Sequence, residues 1–123
     1  MSLRLHINPA DPMPLYAQLE RAIRLAIATE KLSVGDQLPT VRQLAVDLRV
    51  NANTVAKVYA ELERAGVLET RRGVGTFVRA RHAAAAQSSG GKQELRLLTD
   101  RFLAEADKLG FSLHEVLAHL RSR

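Results

Sequence analysis

Asn53, Lys57 and Arg64 share one side of the stretch "VNANTVAKVYAELERAG", residues 50–66, with the small residues Ala56 and Ala60 between them. The side appears once the side chains are placed at ~100° per residue. Val55, Val58, Tyr59 and Leu62 take the other side, at i, i+3, i+4 and i+7. An amide at the start, small residues in the middle, a lysine and no carboxylate are what a helix needs to read base edges in a major groove. Asn53 can pair with adenine through two hydrogen bonds, and Lys57 can reach guanine or phosphate. Glu61 and Glu63 lie to the flanks, toward the C-terminal half. For an isolated helix the competing reading is an ordinary solvated face, so the surrounding elements must decide. Of the two asparagines, Asn51 has the better claim as the N-cap. Thr54 suits a cap or a phosphate equally well.

Three arginines extend this chemistry. Arg42 stands near the start of a short preceding helix, where the helix dipole favours anions. A bound phosphate would account for it; an ordinary exposed arginine is the alternative. Arg71 and Arg72 precede Gly73 at the tip of "RRGVG". Paired arginines repel each other, so such a tip gains only by entering a minor groove or lying along a backbone. The competing reading is a solubilising loop. The histidines point nowhere: His114 and His119 are five apart rather than at the i, i+4 metal spacing, and His6 and His82 have no near companions. No nucleophile–base set or metal-ligand spacing is visible. Gly73 and Gly75 lack the following Lys and Ser or Thr of a phosphate loop. No cofactor, metal or catalytic residue is therefore expected, and the chain does not read as an enzyme.

The elements that would position these residues are legible on both sides. "NPADPMPLY" is an extended lead-in, with Pro14 suited to the first helical position. Leu15, Leu19, Ile23, Ala26 and Ile27 then recur at helical spacing, and Gly35 is expected to end that element. Thr40 with Gln43 forms a capping box for "VRQLAVDL", whose apolar face is Val41, Leu44, Ala45 and Leu48. Gly66 stops the Asn51-capped helix. "VLET" and "TFVRA" are two β-like runs whose connection is longer than two residues. Helix, helix, turn, helix and hairpin make a winged helix-turn-helix, so the expected class is mainly α with a small β-hairpin.

"HAAAAQSSGGKQ" has no amphipathic pattern. The expected organisation is a winged helix-turn-helix over 1–81, a linker over 82–91 and a two-helix module over 92–123. In that module Leu95, Leu98, Phe102, Ala106 and Leu109 line one helix. Gly110 breaks it. Ser112 and Glu115 form a second capping box, and Leu113, Val116, Leu117 and Leu120 line the last helix. Two such helices cannot bury their stripes alone, so the module is expected to pack on the first region, on a second copy, or on both. Phe102 and Phe111, two of only three phenylalanines in the chain, could border a small-molecule effector site at a dimer interface.

The bulk numbers agree. The 123 residues fit one domain, or one with an appendage. There is no cysteine, which excludes disulfides and thiolate metal sites. No apolar run approaches the ~20 residues of a membrane span, and the start lacks the ~7–15-residue apolar core of a secretory signal. A soluble, cytoplasmic protein is expected. The net charge of +5 and a pI near 10.2 favour an anionic partner.

The stretch "GDQLPTVRQLAVDLRVNANTVAKVYAELERAGVLETRRGVGTFV", residues 35–78, resembles the GntR family of bacterial transcription regulators. The segments LP-x-x-R-x-L-A, V-N-x-N-T-V and G-x-G-T-F-V occur in the family's order and spacing. The short two-helix tail resembles the YtrA subfamily, in which it implies a dimerisation module. The resemblance places Arg42, Asn53, Lys57 and the wing around Arg72 and Gly73 at positions used for DNA. Two departures stand out. Ala52 and Ala56 occupy places where other branches carry arginines, and Arg49 replaces a glycine common at the end of the second helix. The implied function is a homodimeric DNA-binding regulator, expected to be a repressor, on a near-palindromic operator and nucleoid-associated when bound. The alternative is a winged-helix protein-interaction module, which would want an apolar outer face on the third helix; two alanines supply little of one.

Overall fold

The computed structural model describes residues 5–79 and 89–122. The chain forms two compact units, Met1–Arg81 and His82–Arg123. His82 and most of the expected linker lie outside the described residues.

In the first unit, α1 spans Leu15–Ala28. Pro14 stands just before it rather than inside it, with φ −56°. The lead-in is tied down by one side chain. Gln18 accepts from the Asn8 amide at 2.8 Å and donates to the Asn8 and Met13 carbonyls at 2.9 and 2.7 Å. Leu19, Ile23 and Ala26 are its buried stripe. The helix ends well before Gly35, against expectation. Glu30 takes a left-handed conformation (φ 61°), and the Leu32 amide donates back to the Ala26 carbonyl at 3.0 Å. That return buries Leu32 beneath the helix end, a tertiary gain invisible to local glycine rules.

Helix α2, Val41–Leu48, has both halves of its Thr40–Gln43 capping box, at 3.1 and 3.0 Å. Leu44 and Ala45 are buried, and Val41 and Leu48 pack at the core's edge. Arg49 closes the helix in the left-handed region, φ 57° and ψ 46°. Helix α3, Ala52–Arg64, buries Val55, Val58, Tyr59 and Leu62, the stripe read from its periodicity. Each such side chain contributes roughly 1.5–3 kcal/mol when fully buried. Tyr59 also donates its hydroxyl to the Pro39 carbonyl at 2.7 Å, joining α3 to the residue before the α2 cap. Burial raises the Tyr59 pKa well above its ordinary value.

Strands β1 (Leu68–Arg71) and β2 (Gly75–Val78) pair antiparallel, from Leu68 opposite Val78 to Arg71 opposite Gly75. The loop holds three residues, Arg72, Gly73 and Val74. The segment 35–38, which leaves a turn at Gly35, docks on the free edge of β2. Gly35 donates to Val78, Val78 to Asp36 and Leu38 to Thr76, all at 2.8–2.9 Å, with a bridge between Gln37 and Phe77. This third edge of the wing has no alternating pattern to announce it. Gln37 donates from its side chain to the Val74 carbonyl at 3.0 Å.

In the second unit, α4 spans Ser89–Lys108 and α5 spans Leu113–Arg121. Helix α4 starts earlier than the expected boundary at 92, and its first turn includes Gly90 and Gly91. Gly110 turns the chain at φ 92°, and Ser112 and Glu115 form the second capping box. Among its described residues none is buried.

Two backbone positions predict opposite changes in stability. Arg49 sits where a side chain costs about 1 kcal/mol, so Arg49→Gly should raise the urea-unfolding free energy by roughly 0.5–1 kcal/mol after the entropy of glycine is counted. Gly75 has φ 145°, and an added Cβ would collide with the Gln37 side-chain amide. Gly75→Ala should cost about 1–3 kcal/mol. A loss at Arg49→Gly or no loss at Gly75→Ala would contradict these assignments.

Candidate nucleic-acid interface

The buried stripe of α3 determines what its other side presents. Asn53, Ala56, Lys57, Ala60 and Arg64 are exposed, and Thr54 is half-buried. At the start of the helix the asparagines take different tasks. Asn51 is the N-cap, its side-chain oxygen accepting from the Asn53 amide at 2.8 Å. That oxygen is engaged on backbone. The Asn53 side chain makes no hydrogen bond among the described residues, so both its amide groups are open.

The cations of this surface are held in different ways. Arg64 pairs with Glu61 at 2.7 Å, which offsets the charge at the far end of the stripe. Glu63 accepts from the Thr70 hydroxyl at 3.2 Å and so leans toward the wing. Lys57 has no carboxylate partner among the described residues. Its Nζ lies 4.5 Å from the centroid of the Tyr16 ring, in the first turn of α1. Tyr16 lies off the buried stripe of α1, and nothing in the sequence pattern separates it from an ordinary surface residue.

Arg42 is exposed in the first turn of α2, beside the backbone donors left over from the Thr40–Gln43 box, and has no ion pair among the described residues. The two wing arginines differ. Arg71 is drawn back onto the hairpin: it pairs with Glu69 at 3.1 Å and stacks over Phe77, 4.3 Å from the ring centroid. Phe77 is its diagonal neighbour across the strands. Arg72 stands exposed in the loop, beside Gly73 with φ 76°. The pair read as one feature in sequence is thus split into a packed arginine and a forward one.

The combined arrangement is a helix with a hydrogen-bonding start, a small middle and an ammonium that rests on a ring and not on a carboxylate. A short helix N-terminus with a free arginine precedes it, and a wing tip with another follows. Nothing in it resembles a catalytic constellation. Of the apolar residues assigned to the tail, Ala106 and Val116 are half-buried and the larger ones are exposed. Leu95, Leu98, Phe102, Leu109, Phe111, Leu113, Leu117 and Leu120 range from 39% exposure at Leu117 to 76% at Leu109.

Comparison with known proteins decides the family. The model of bacterial regulatory proteins, gntR family, matches residues 15–78, more than half of the chain. This chain belongs to the gntR family. The HTH-type transcriptional repressor YtrA of Bacillus subtilis is 40% identical over 74 residues, 60% of this chain and 57% of that protein. The solved structure of YtrA from Sulfolobus acidocaldarius, a GntR-family transcription factor, superposes with a TM-score of 0.61 at 30% identity. It covers 81% of this chain and 97% of that one. The AraR DNA-binding domain in complex with operator ORX1 matches 60% of this chain and 92% of its own length, at 30% identity and a TM-score of 0.54. The family match over residues 15–78 spans α1, both helices of the helix-turn-helix and the wing, and the winged-helix architecture expected from the sequence is the one observed.

The two asparagines predict separable losses. Asn51→Ala should lower folding stability by about 1 kcal/mol, the usual worth of an N-cap. Asn53→Ala should change it by less than about 0.5 kcal/mol, as at an exposed position without partners. Urea unfolding of both variants measures this, and equal losses would contradict the division.

Proposed function

We propose that this chain is a homodimeric transcriptional repressor that binds a near-palindromic DNA operator. The observation that carries the reading is the outer face of α3. Asn53 is unengaged there, Ala56 and Ala60 leave room for bases, and Lys57 keeps its charge. In this reading Asn53 and Lys57 read base edges in the major groove, and Thr54 and the Asn51 amide lie close to the backbone at the helix start. Arg42 and Arg72 fix the register on phosphates, and Gly73 lets the wing tip approach. Arg71 acts through its packing on Phe77, which supports the wing beside the tip. The operator complex of the related AraR domain and the repressor role of the related YtrA support the reading.

The second copy follows from the tail. Monomeric proteins rarely leave a large contiguous apolar patch in water. Leu95, Leu98, Phe102 and Leu109 on α4, with Phe111, Leu113, Leu117 and Leu120 at and along α5, are 39–76% exposed. Pairing two such stripes would bury them and set two α3 helices on one DNA face. Half-sites ~34–36 Å apart centre to centre are then the simplest geometry. A small-molecule effector would bind at that interface, near Phe102 and Phe111.

Selection of bound fragments from a random DNA pool tests this directly. The expected product is an inverted repeat, bound with a log–log salt slope of roughly −7 if the dimer neutralises about eight phosphates. Asn53→Ala should cost about 1–3 kcal/mol on that repeat and relax one base position per half-site. No enriched sequence, or a slope near zero, would overturn the reading. A loss equal on selected and random DNA would reassign Asn53 to the backbone.

A further inference from the structure

Lys57 is a groove-seeking side chain in the reading above, yet its ammonium rests on a ring and not on an acid. Its Nζ is 4.5 Å from the Tyr16 ring centroid. The ion pairs of the first unit go elsewhere, to Arg24 with Glu20, Arg64 with Glu61 and Arg71 with Glu69. Tyr16 is 46% exposed, so it is not a core residue that happens to lie near a lysine. The difference between the two kinds of partner matters at a polyanion. A carboxylate would cancel the lysine's charge and itself repel phosphates. A ring attracts the cation through its quadrupole and carries no net charge. It also covers only the side of the ammonium that faces it, and the N–H donors pointing away from the ring remain available to an acceptor. A free lysine loses substantial rotamer freedom on entering a groove. One already held against a ring has lost part of it beforehand, which lowers the entropic cost of binding.

We infer that Tyr16 is a positioning residue of the DNA interface: it holds Lys57 for contact with the operator and thereby extends the functional surface from α3 to the first turn of α1. The inference rests on the operator-binding reading of Lys57.

The test uses the full chain and the duplex selected by the wild type, with a random duplex of equal length beside it. Affinities are compared for Tyr16→Phe, Tyr16→Leu, Lys57→Met and the double variant Tyr16→Leu/Lys57→Met. Tyr16→Leu should weaken operator binding about three- to fivefold, the range expected for an exposed cation–ring contact. Tyr16→Phe, which keeps the ring, should stay within about twofold of wild type. Tyr16→Leu should have no further effect once Lys57 is Met, because the two act as one unit. A merely structural role for Tyr16 would instead give losses that add to those of Lys57→Met, and would overturn the inference. So would a Phe variant as weak as the Leu variant, which would make the hydroxyl the active group, or a Leu variant that binds as well as or better than wild type. A wild-type chain that selects no duplex would sink the operator-binding reading and this inference with it. A wild type that binds while Tyr16→Leu is silent sinks the inference alone.

Discussion

Val55, Val58, Tyr59 and Leu62 turn one side of α3 into the core, against α1 and α2, and the candidate interface depends on that burial. With those four side chains inside, rotation of the helix about its axis is fixed. Asn53, Ala56, Lys57 and Ala60 can then only face outward. The Tyr59 hydroxyl adds a second restraint by holding α3 to the Pro39 carbonyl, next to the cap of α2. The middle of α3 is therefore tied to the start of α2 through one buried phenol. A phenol is a neutral donor through the physiological range, and burial, which raises the Tyr59 pKa, moves its ionisation further away.

Around that frame the charges are sorted. The cations at the periphery, Arg64 and Arg71, carry carboxylate partners, and Arg71 also lies on Phe77. Those in forward positions, Arg42, Lys57 and Arg72, have none among the described residues. Exposed pairs such as Arg64–Glu61 add little to stability, so their consequence is chiefly electrostatic, a lowering of local positive charge where the helix would leave the groove.

Much of this was legible in the sequence, and the reasons differ by element. The stripes of α1, α2 and α3 follow from strong 3.6-residue periodicity, and both capping boxes were visible as Thr40–Gln43 and Ser112–Glu115. The Asn51 cap followed from its place before the first apolar residue. What escaped reading was set by contacts distant in sequence. The end of α1 at Ala28 depends on Leu32 folding back under it, while the expected stop, Gly35, serves the next turn. The docking of residues 35–38 on β2 is made chiefly by backbone hydrogen bonds, which leave no side-chain pattern. The helical first turn of α4 at Gly90 and Gly91 runs against local propensity, as the helix behind it outweighs two glycines. The unequal fates of Arg71 and Arg72, and the Tyr16–Lys57 contact, arise from residues brought together only by the fold.

The apolar face of α4 and α5 is the other half of the proposal, since a reading helix alone specifies a half-site. Both halves assume that the outer face of α3 is where DNA sits. The most direct check is an amide NMR titration of the labelled full chain with the selected duplex. The expected result is that the largest shifts fall on the Asn53 side-chain amide and on the backbone of residues 40–42, 51–57 and 71–74. Shifts concentrated in α4 and α5, with Asn53 and its helix unmoved, would contradict it.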